Sequence, residues 1–479
     1  MSFRITLSPT QYLEVPENSN LLDALRQAGY IADAPCGGRG TCGKCKAVVN
    51  GTEVLACQTV VDGNMTVQLP QTGNASILTA GIAVQGGEAG GYRLAFDIGT
   101  TTVAGFLLDG SGTELASASC ENPQRAYGAD VISRIQYALK IDGSIQTAAI
   151  RSCLDTMSQD LCRRSHIAPT RIQTVCVVGN PAMQQLFLGI SPENLARLPF
   201  SPVLTEMREA TAKDYLPSLP GATLLTVPDI SGFVGADTVA CVLATDLATQ
   251  KDRTLLVDIG TNGEMVLGNQ NRMVACSTAA GPALEGANIS CGMRGRAGAI
   301  DHVWVKDGQL CCSVIGNTEA EGICGSGLID AAAAALELGL MNQRGRVLTE
   351  DRCIHITEKV TLTQEDIRQL QLAKGAIAAG IQLMAEHLDI ELSEIRKVYL
   401  AGAFGTFMDP VSACRIGLLP QELASKTTAV GNAAGSGAKL LACSKGAAKQ
   451  AQQLVEKTEF LELGSLPDFQ YAFAEQMGF

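Results

Sequence analysis

The feature that most limits how this chain can fold is an internal echo. Arg93–Gly105 reads RLAFDIGTTTVAG, and Thr254–Gly268 reads TLLVDIGTNGEMVLG. In each copy an apolar strand runs into Asp-Ile-Gly-Thr and a second apolar strand returns. Two copies about 160 positions apart are too few for a solenoid and predict a duplicated, two-lobed domain. From Arg93 onward strands and helices alternate, the pattern of an α/β protein. With 479 residues the chain has room for about three domains at ~150 residues each, so a further module fits ahead of the echo.

That module is residues 1–70. Phe3–Leu7 and Tyr12–Val15 flank the turn Ser8-Pro9-Thr10, a hairpin signal. Asn18 or Ser19 is placed to cap a helix through Leu21, Leu22 and Leu25, stopped by Gly29. Short strands follow at Lys46–Val49 and Met65–Leu69. Residues 71–92, rich in Gly, Ala and small polar residues, read as a loosely packed linker. The echo divides the remainder into a first lobe, 93–205, and a second lobe, 206–479.

Within the N-terminal module, Ala34–Gln58 reads APCGGRGTCGKCKAVVNGTEVLACQ. Cys36, Cys42 and Cys45 share one tight loop and Cys57 follows, the arrangement of thiolates a 2Fe-2S cluster requires. Gly37, Gly38, Gly40 and Gly43 allow positive φ and bring backbone N–H groups near the sulfides. A structural zinc site is the alternative, but its usual form is two CxxC pairs and only Cys42/Cys45 make one. The segment resembles the adrenodoxin-like and plant-type ferredoxins, which implies a β-grasp fold. The other thirteen of the 17 cysteines are scattered through apolar stretches and read as buried thiols.

The echoed hairpins have a physical use of their own. Gly99 and Gly260 let the backbone turn so that N–H groups face an anion, while Thr100, Thr101 and Thr102, with Thr261 and Asn262, add side-chain donors. Asp97 and Asp258 would repel phosphate directly, so their expected role is to hold Mg²⁺ through water between the hairpins. Three further segments fall in sequence order: VCVVGNPAMQQLFLG at Val175–Gly189, VYLAGAFGTF at Val398–Phe407 and VGNAAGSGAKLLA at Val430–Ala442. Together the five segments resemble the acetate and sugar kinase, heat-shock chaperone and actin superfamily. The resemblance implies a bilobal actin-like ATPase with Asp97–Thr102 and Asp258–Glu264 clamping the phosphates of ATP. It places Gly402, Ala403, Phe404 and Gly405 against the adenosine, and Asn180 with Gly431–Gly437, Gly435 among them, at the interlobe hinge.

A Gly-rich stretch, Ser277–Ile300, contains Glu285 and Arg294, to which the sequence assigns no chemical step. The cysteine loop, both hairpins and the signature AAGPALEGANISCGMRG together resemble the reductive activators of corrinoid proteins. That resemblance spans essentially the whole chain. It implies one-electron transfer from the cluster to a corrinoid protein, returning inactive Co(II) to Co(I) with ATP hydrolysis. It further implies an upstream low-potential electron donor and a homodimer. A redox-sensing ATP switch, an ATP-driven donor to another low-potential enzyme and a small-molecule kinase are the alternatives.

Composition excludes several classes. Thirty-six basic against 48 acidic residues give a net charge of −12, and no basic run offers a face to nucleic acid or anionic lipid. Four histidines without an HExxH or a CxxC…HxxxH pattern argue against zincins and zinc fingers. The N-terminus lacks an apolar signal region and no uncharged apolar run reaches ~18 residues, so a cytoplasmic protein is expected.

Overall fold

The computed structural model describes residues 2–8, 11–27, 45–68, 80–83, 90–405 and 407–479. The N-terminal module is a five-stranded sheet in the order Gln11–Pro16, Ser2–Ser8, Met65–Gln68, Lys46–Val49, Thr52–Leu55. Its two terminal strands pair in parallel, Ile5 with Met65, and its other pairings are antiparallel. Helix Leu21–Gln27 lays Leu21, Leu22 and Leu25 on Ile5, Val15, Ala47 and Val67, each apolar side chain contributing about 1.5–3 kcal/mol on burial. The helix is capped by Asn20, not by Asn18 or Ser19: its Oδ1 accepts from the N–H groups of Leu22 at 3.0 Å and Asp23 at 3.3 Å. This is the β-grasp expected of the module.

The echo becomes two homologous six-stranded sheets. The first runs Glu114–Glu121, Thr102–Asp109, Tyr92–Ile98, Ile172–Gly179, Thr223–Thr226, Arg208–Thr211. The second runs Thr427–Gly431, Lys397–Ala401, Thr254–Ile259, Gly263–Gly268, Met273–Thr278, Thr458–Phe460. Each begins as an antiparallel three-stranded meander and continues through parallel strands on the other side of its first strand. The first lobe therefore extends beyond the boundary expected at residue 205. Thr223–Thr226 hydrogen-bonds alongside Ile172–Gly179, and Arg208–Thr211 closes that edge.

Two helices join the lobes, one of them opening in the Gly431–Gly437 segment. Asn180 caps Pro181–Leu188 inside the first lobe, and the crossing is made by Ala236–Ala244 packed on Ala433–Cys443. A Cβ at Gly437 would stand 2.0 Å from the Ala240 carbonyl oxygen, so glycine sets the approach of the two backbones. Both helices enter one apolar core with Ala95, Phe106, Leu256 and Val266, from the two sheets.

Where it is described, the connector is mostly exposed but touches the lobes. Ala80–Ala83 lies along the start of helix Ala433–Cys443: Asn432 N–H donates to the Ala80 carbonyl at 3.0 Å, and Ile82 packs on the interlobe core. The cysteines are not all solitary, because the Cys120 and Cys153 sulfurs lie 3.2 Å apart. Among the described residues no helix is long and apolar enough to cross a membrane.

Gly437→Ala sets two effects against each other. Alanine favours a helix interior by up to ~1 kcal/mol, whereas forcing a methyl against a backbone carbonyl costs about 1–3 kcal/mol. With a 2.0 Å approach the clash dominates, so the variant should unfold at a lower temperature than the parent protein.

Candidate functional site

Two of the four cluster cysteines are brought together. Cys45 is buried at the entry to Lys46–Val49, and Cys57 sits in the turn Ala56–Gln58 that leads back to the sheet. The Cys57 N–H points at the Cys45 sulfur at 3.5 Å, and Ala56 N–H holds the Cys45 carbonyl at 2.8 Å. Asn20, the cap of the helix, donates through Nδ2 to the Cys57 carbonyl at 2.9 Å, so helix and thiol turn are one unit. Cys36 and Cys42, with Gly37, Gly38, Gly40 and Gly43, lie outside the described residues. The pair that is described suits an iron–sulfur group, which is stabilised by N–H donors aimed at its sulfur ligands.

The two hairpins meet across the cleft between the lobes. Asp97 and Asp258 occupy equivalent places near the ends of their first strands, opposite Ala104 and Glu264. Gly99 makes the first turn tight, since a Cβ there would come 2.9 Å from the Thr102 carbonyl, and Gly260 N–H closes the second on the Asn262 carbonyl at 2.9 Å. Thr102 begins the return strand beside Glu121. Asn180 donates to Thr100 Oγ1 at 3.1 Å. Asn262 and Ser277 both bond Glu264, the latter at 3.4 Å. Gly402 has φ +88°, and a Cβ there would also meet Asp258 Oδ1 at 2.7 Å, so the position suits glycine on both counts. It opens the short turn Gly402–Gly405, containing Ala403 and Phe404, directly after strand Lys397–Ala401. Gly435 lets the crossing helix reach Phe106, 2.7 Å from where a Cβ would stand.

Three residues that the sequence left without a role, and Asn432 from the expected hinge segment, complete the cleft. Glu285 spans the lobes: its carboxylate accepts from Thr101 Oγ1 at 2.9 Å and Thr261 Oγ1 at 2.5 Å. Arg294, from the same Gly-rich stretch, bonds Glu121 of the first lobe, which also pairs with Arg125 at 3.2 Å. Asn432 donates through Nδ2 to Asp97 Oδ2 at 3.0 Å. Arg134 is wholly buried behind the first hairpin, donating to the Thr100 carbonyl at 2.5 Å and the Gly128 carbonyl at 3.0 Å. Asn before an Ala/Gly helix start is a readable cap signal for Asn432. Nothing local marks the other three.

Charge in the cleft is divided. Burial pushes Asp97 up to about 7, opposed by the Asn432 hydrogen bond and reinforced by Asp258. Asp237, in the first turn of Ala236–Ala244, rises to about 7 through burial and the repulsion of Asp258 and Asp97. Burial raises Asp258 to about 6 and lifts Glu264 well above the carboxylate range. Burial, with repulsion from Arg125, lowers Arg134 to about 9, so it is still cationic at neutral pH. Among the described residues no three carboxylate, thiol or imidazole groups converge into a direct metal site. The carboxylates repel one another, while the buried Arg134 guanidinium stands behind the hairpin donors. A phosphate group complements those donors.

The sign of the pH effect follows. A carboxyl raised in the folded state binds its proton there more readily than in the unfolded chain, so stability falls as pH climbs from about 4 to about 7. Asp97→Asn should therefore melt at a higher temperature than the parent at pH 8, by a margin that narrows towards pH 5. Mg²⁺ with ADP should raise the melting temperature of the parent protein more at pH 8 than at pH 6. Differential scanning fluorimetry across that range reads both.

Comparison with known proteins agrees along the chain. Family models match a 2Fe-2S iron-sulfur cluster binding domain over residues 5–68, the RACo middle region over 92–250, and the C-terminal domain of RACo, the ASKHA domain, over 252–479. The corrinoid activation enzyme RamQ of Eubacterium limosum is 37% identical over 408 residues, 79% of this chain and 68% of that protein. The Co(II) methylated amine-specific corrinoid protein reductase of Methanosarcina barkeri is 28% identical, over 69% of this chain and 66% of that protein. The chain thus spans about two thirds of the length of these two curated relatives. A solved reductive activator for corrinoid, iron-sulfur protein superposes with a TM-score of 0.73 at 27% identity, covering 99% of this chain and 98% of that one. With a β-grasp carrying paired thiols, a duplicated cleft and these relatives, the chain belongs to the family of reductive activators of corrinoid proteins.

Proposed function

We infer that this protein uses ATP to drive one-electron reduction of a corrinoid protein, returning Co(II) to the methyl-accepting Co(I) state. The observation that carries the reading is the joining, in one chain, of a cysteine-bearing β-grasp to a cleft where the carboxylates Asp97 and Asp258 lie close enough to repel and Glu285 spans both hairpins. Cys36, Cys42, Cys45 and Cys57 would hold a 2Fe-2S cluster, which supplies a one-electron donor when bound. Asp97 and Asp258 would take Mg²⁺ through its water shell. Thr100, Thr101, Thr102, Thr261 and Asn262 would donate to the phosphates, with Gly99 and Gly260 shaping their turns. Gly402, Ala403, Phe404 and Gly405 would bound the adenosine, while Asn180, Glu264 and Gly435 set the walls. A low-potential reductant reloads the cluster, and the resemblance favours a homodimer in the cytoplasm.

Energetics explain the need for a nucleotide. Each ~59 mV of uphill one-electron transfer is a factor of ten, or about 1.4 kcal/mol. A nucleotide can offset such a gap only by binding two conformations differently. The cleft offers the means. Thr101 and Thr261 donate to Glu285, and phosphate oxygens would compete for those hydroxyls. Hydrolysis then removes the γ-phosphate and returns the hydroxyls to Glu285.

An optical assay tests the reading. Dithionite-reduced protein mixed with a Co(II) corrinoid protein should form Co(I) faster with MgATP than without it. Equal rates would sink the role of ATP. Cys45→Ser should lose the visible absorbance of the cluster and the electron transfer, and keep ATP hydrolysis within about twofold. Loss of ATP hydrolysis together with the cluster would instead mean that the cysteine supports the fold of the lobes.

A further inference from the structure

Asn432 has every polar group committed. Its Nδ2 donates to Asp97 Oδ2 at 3.0 Å, across to the first lobe. Its Oδ1 accepts from Gly435 N–H at 2.5 Å, which caps helix Ala433–Cys443. Its backbone N–H donates to the Ala80 carbonyl at 3.0 Å, and its carbonyl accepts from Ser436 N–H at 3.1 Å and Ser436 Oγ at 2.9 Å. The contact with the connector is close on both sides. A Cβ at Gly431 would stand 2.4 Å from the Ala80 carbonyl oxygen, and one at Gly81 would stand 2.3 Å from Ser436 Oγ and 2.7 Å from the Asn432 carbonyl oxygen. Ile82 then anchors the connector on the interlobe core.

These bonds join two places that are 335 residues apart in sequence for Asp97 and Asn432. One end is the carboxylate at the phosphate cleft. The other is the segment that links the β-grasp module to the lobes. We propose that Asn432 is a positioning residue that transmits the nucleotide state at Asp97 to the connector, and so sets where the β-grasp module presents its electron. The inference rests on the nucleotide reading above.

The physical argument is one of shared geometry. A carboxamide is planar, so its Nδ2 and Oδ1 move together. Oδ1 is fixed to the helix start, and the backbone of the same residue is fixed to Ala80. When Asp97 turns towards a hydrated cation, its bond with Nδ2 is strained or lost. The planar group, the helix start and the connector must then readjust as one. Energetic coupling needs such a contiguous element with two arrangements, and a charged hydrogen bond is strong enough to bias it.

Two variants approach the residue from opposite sides. Asn432→Ser keeps a cap and loses the amide that reaches Asp97. Gly81→Ala leaves the Asp97 and Asn432 side chains unchanged and pushes the connector off the Asn432 carbonyl and Ser436 hydroxyl at the helix start. Each is assayed, with its cluster loaded, for ATP hydrolysis and for Co(I) formation with and without MgATP. The expected result is a split: Gly81→Ala hydrolyses ATP within about twofold of the parent while the acceleration of Co(I) formation by ATP falls to near onefold. Asn432→Ser should lose the acceleration too, and the midpoint potential of the cluster should stay the same in both. Full ATP acceleration in either folded variant overturns the proposal, as does a fall in hydrolysis that matches the fall in acceleration in Gly81→Ala. If the parent protein itself shows no acceleration by ATP, the nucleotide reading fails first.

Discussion

The structure turns on two buried aspartates that repel each other across one cleft. Asp97 and Asp258 sit at equivalent positions of duplicated hairpins, and burial holds both above the usual carboxylate range. The surroundings answer that cost in parts. Asn432 gives Asp97 a donor, the Cys241 thiol lies 3.5 Å from Asp258, and Gly402 keeps clear the space a side chain would fill beside Asp258. Each is a partial offset to burial and not a countercharge. Binding of a hydrated cation with its phosphate ligand is the proposed way that the remaining repulsion is met.

That requirement also accounts for how the lobes are tied. The Gly-rich stretch reaches from the second lobe to the first twice, through Glu285 to Thr101 and through Arg294 to Glu121. The helices Ala236–Ala244 and Ala433–Cys443 share one apolar core with both sheets. The polar ties can exchange partners with a ligand, whereas the apolar crossing cannot. The apolar crossing thus holds the lobes together while the polar ties line the cleft.

Much of this was legible in the sequence, and for identifiable reasons. The two DIGT segments were readable because apolar strands and a Gly turn leave a local pattern, and the sheets repeat it faithfully. The thiol pair Cys45/Cys57 was readable because ligand types and spacing are local too. The end of the first lobe was not, since Arg208–Thr211 and Thr223–Thr226 are short strands of ordinary composition whose membership is decided by pairing with distant partners. Glu285 and Arg134 were illegible for the same reason: their partners, Thr101, Thr261 and Thr100, are set by tertiary packing. Asn180 and Gly431–Gly437 were readable as special turns, and the structure sets both beside the crossing helix Ala236–Ala244, Asn180 against Gly235 and Gly437 against Ala240.

The central claim is that the nucleotide cleft governs where the electron-carrying module stands relative to the lobes. The most direct measurement is a pulsed electron–electron distance between the paramagnetic reduced cluster and a spin label carried on a non-cysteine anchor at exposed Glu350 of the second lobe. The distance distribution should shift between the nucleotide-free protein and the protein with a non-hydrolysable MgATP analogue. An identical distribution in the two states, with the analogue shown to be bound, would contradict the account.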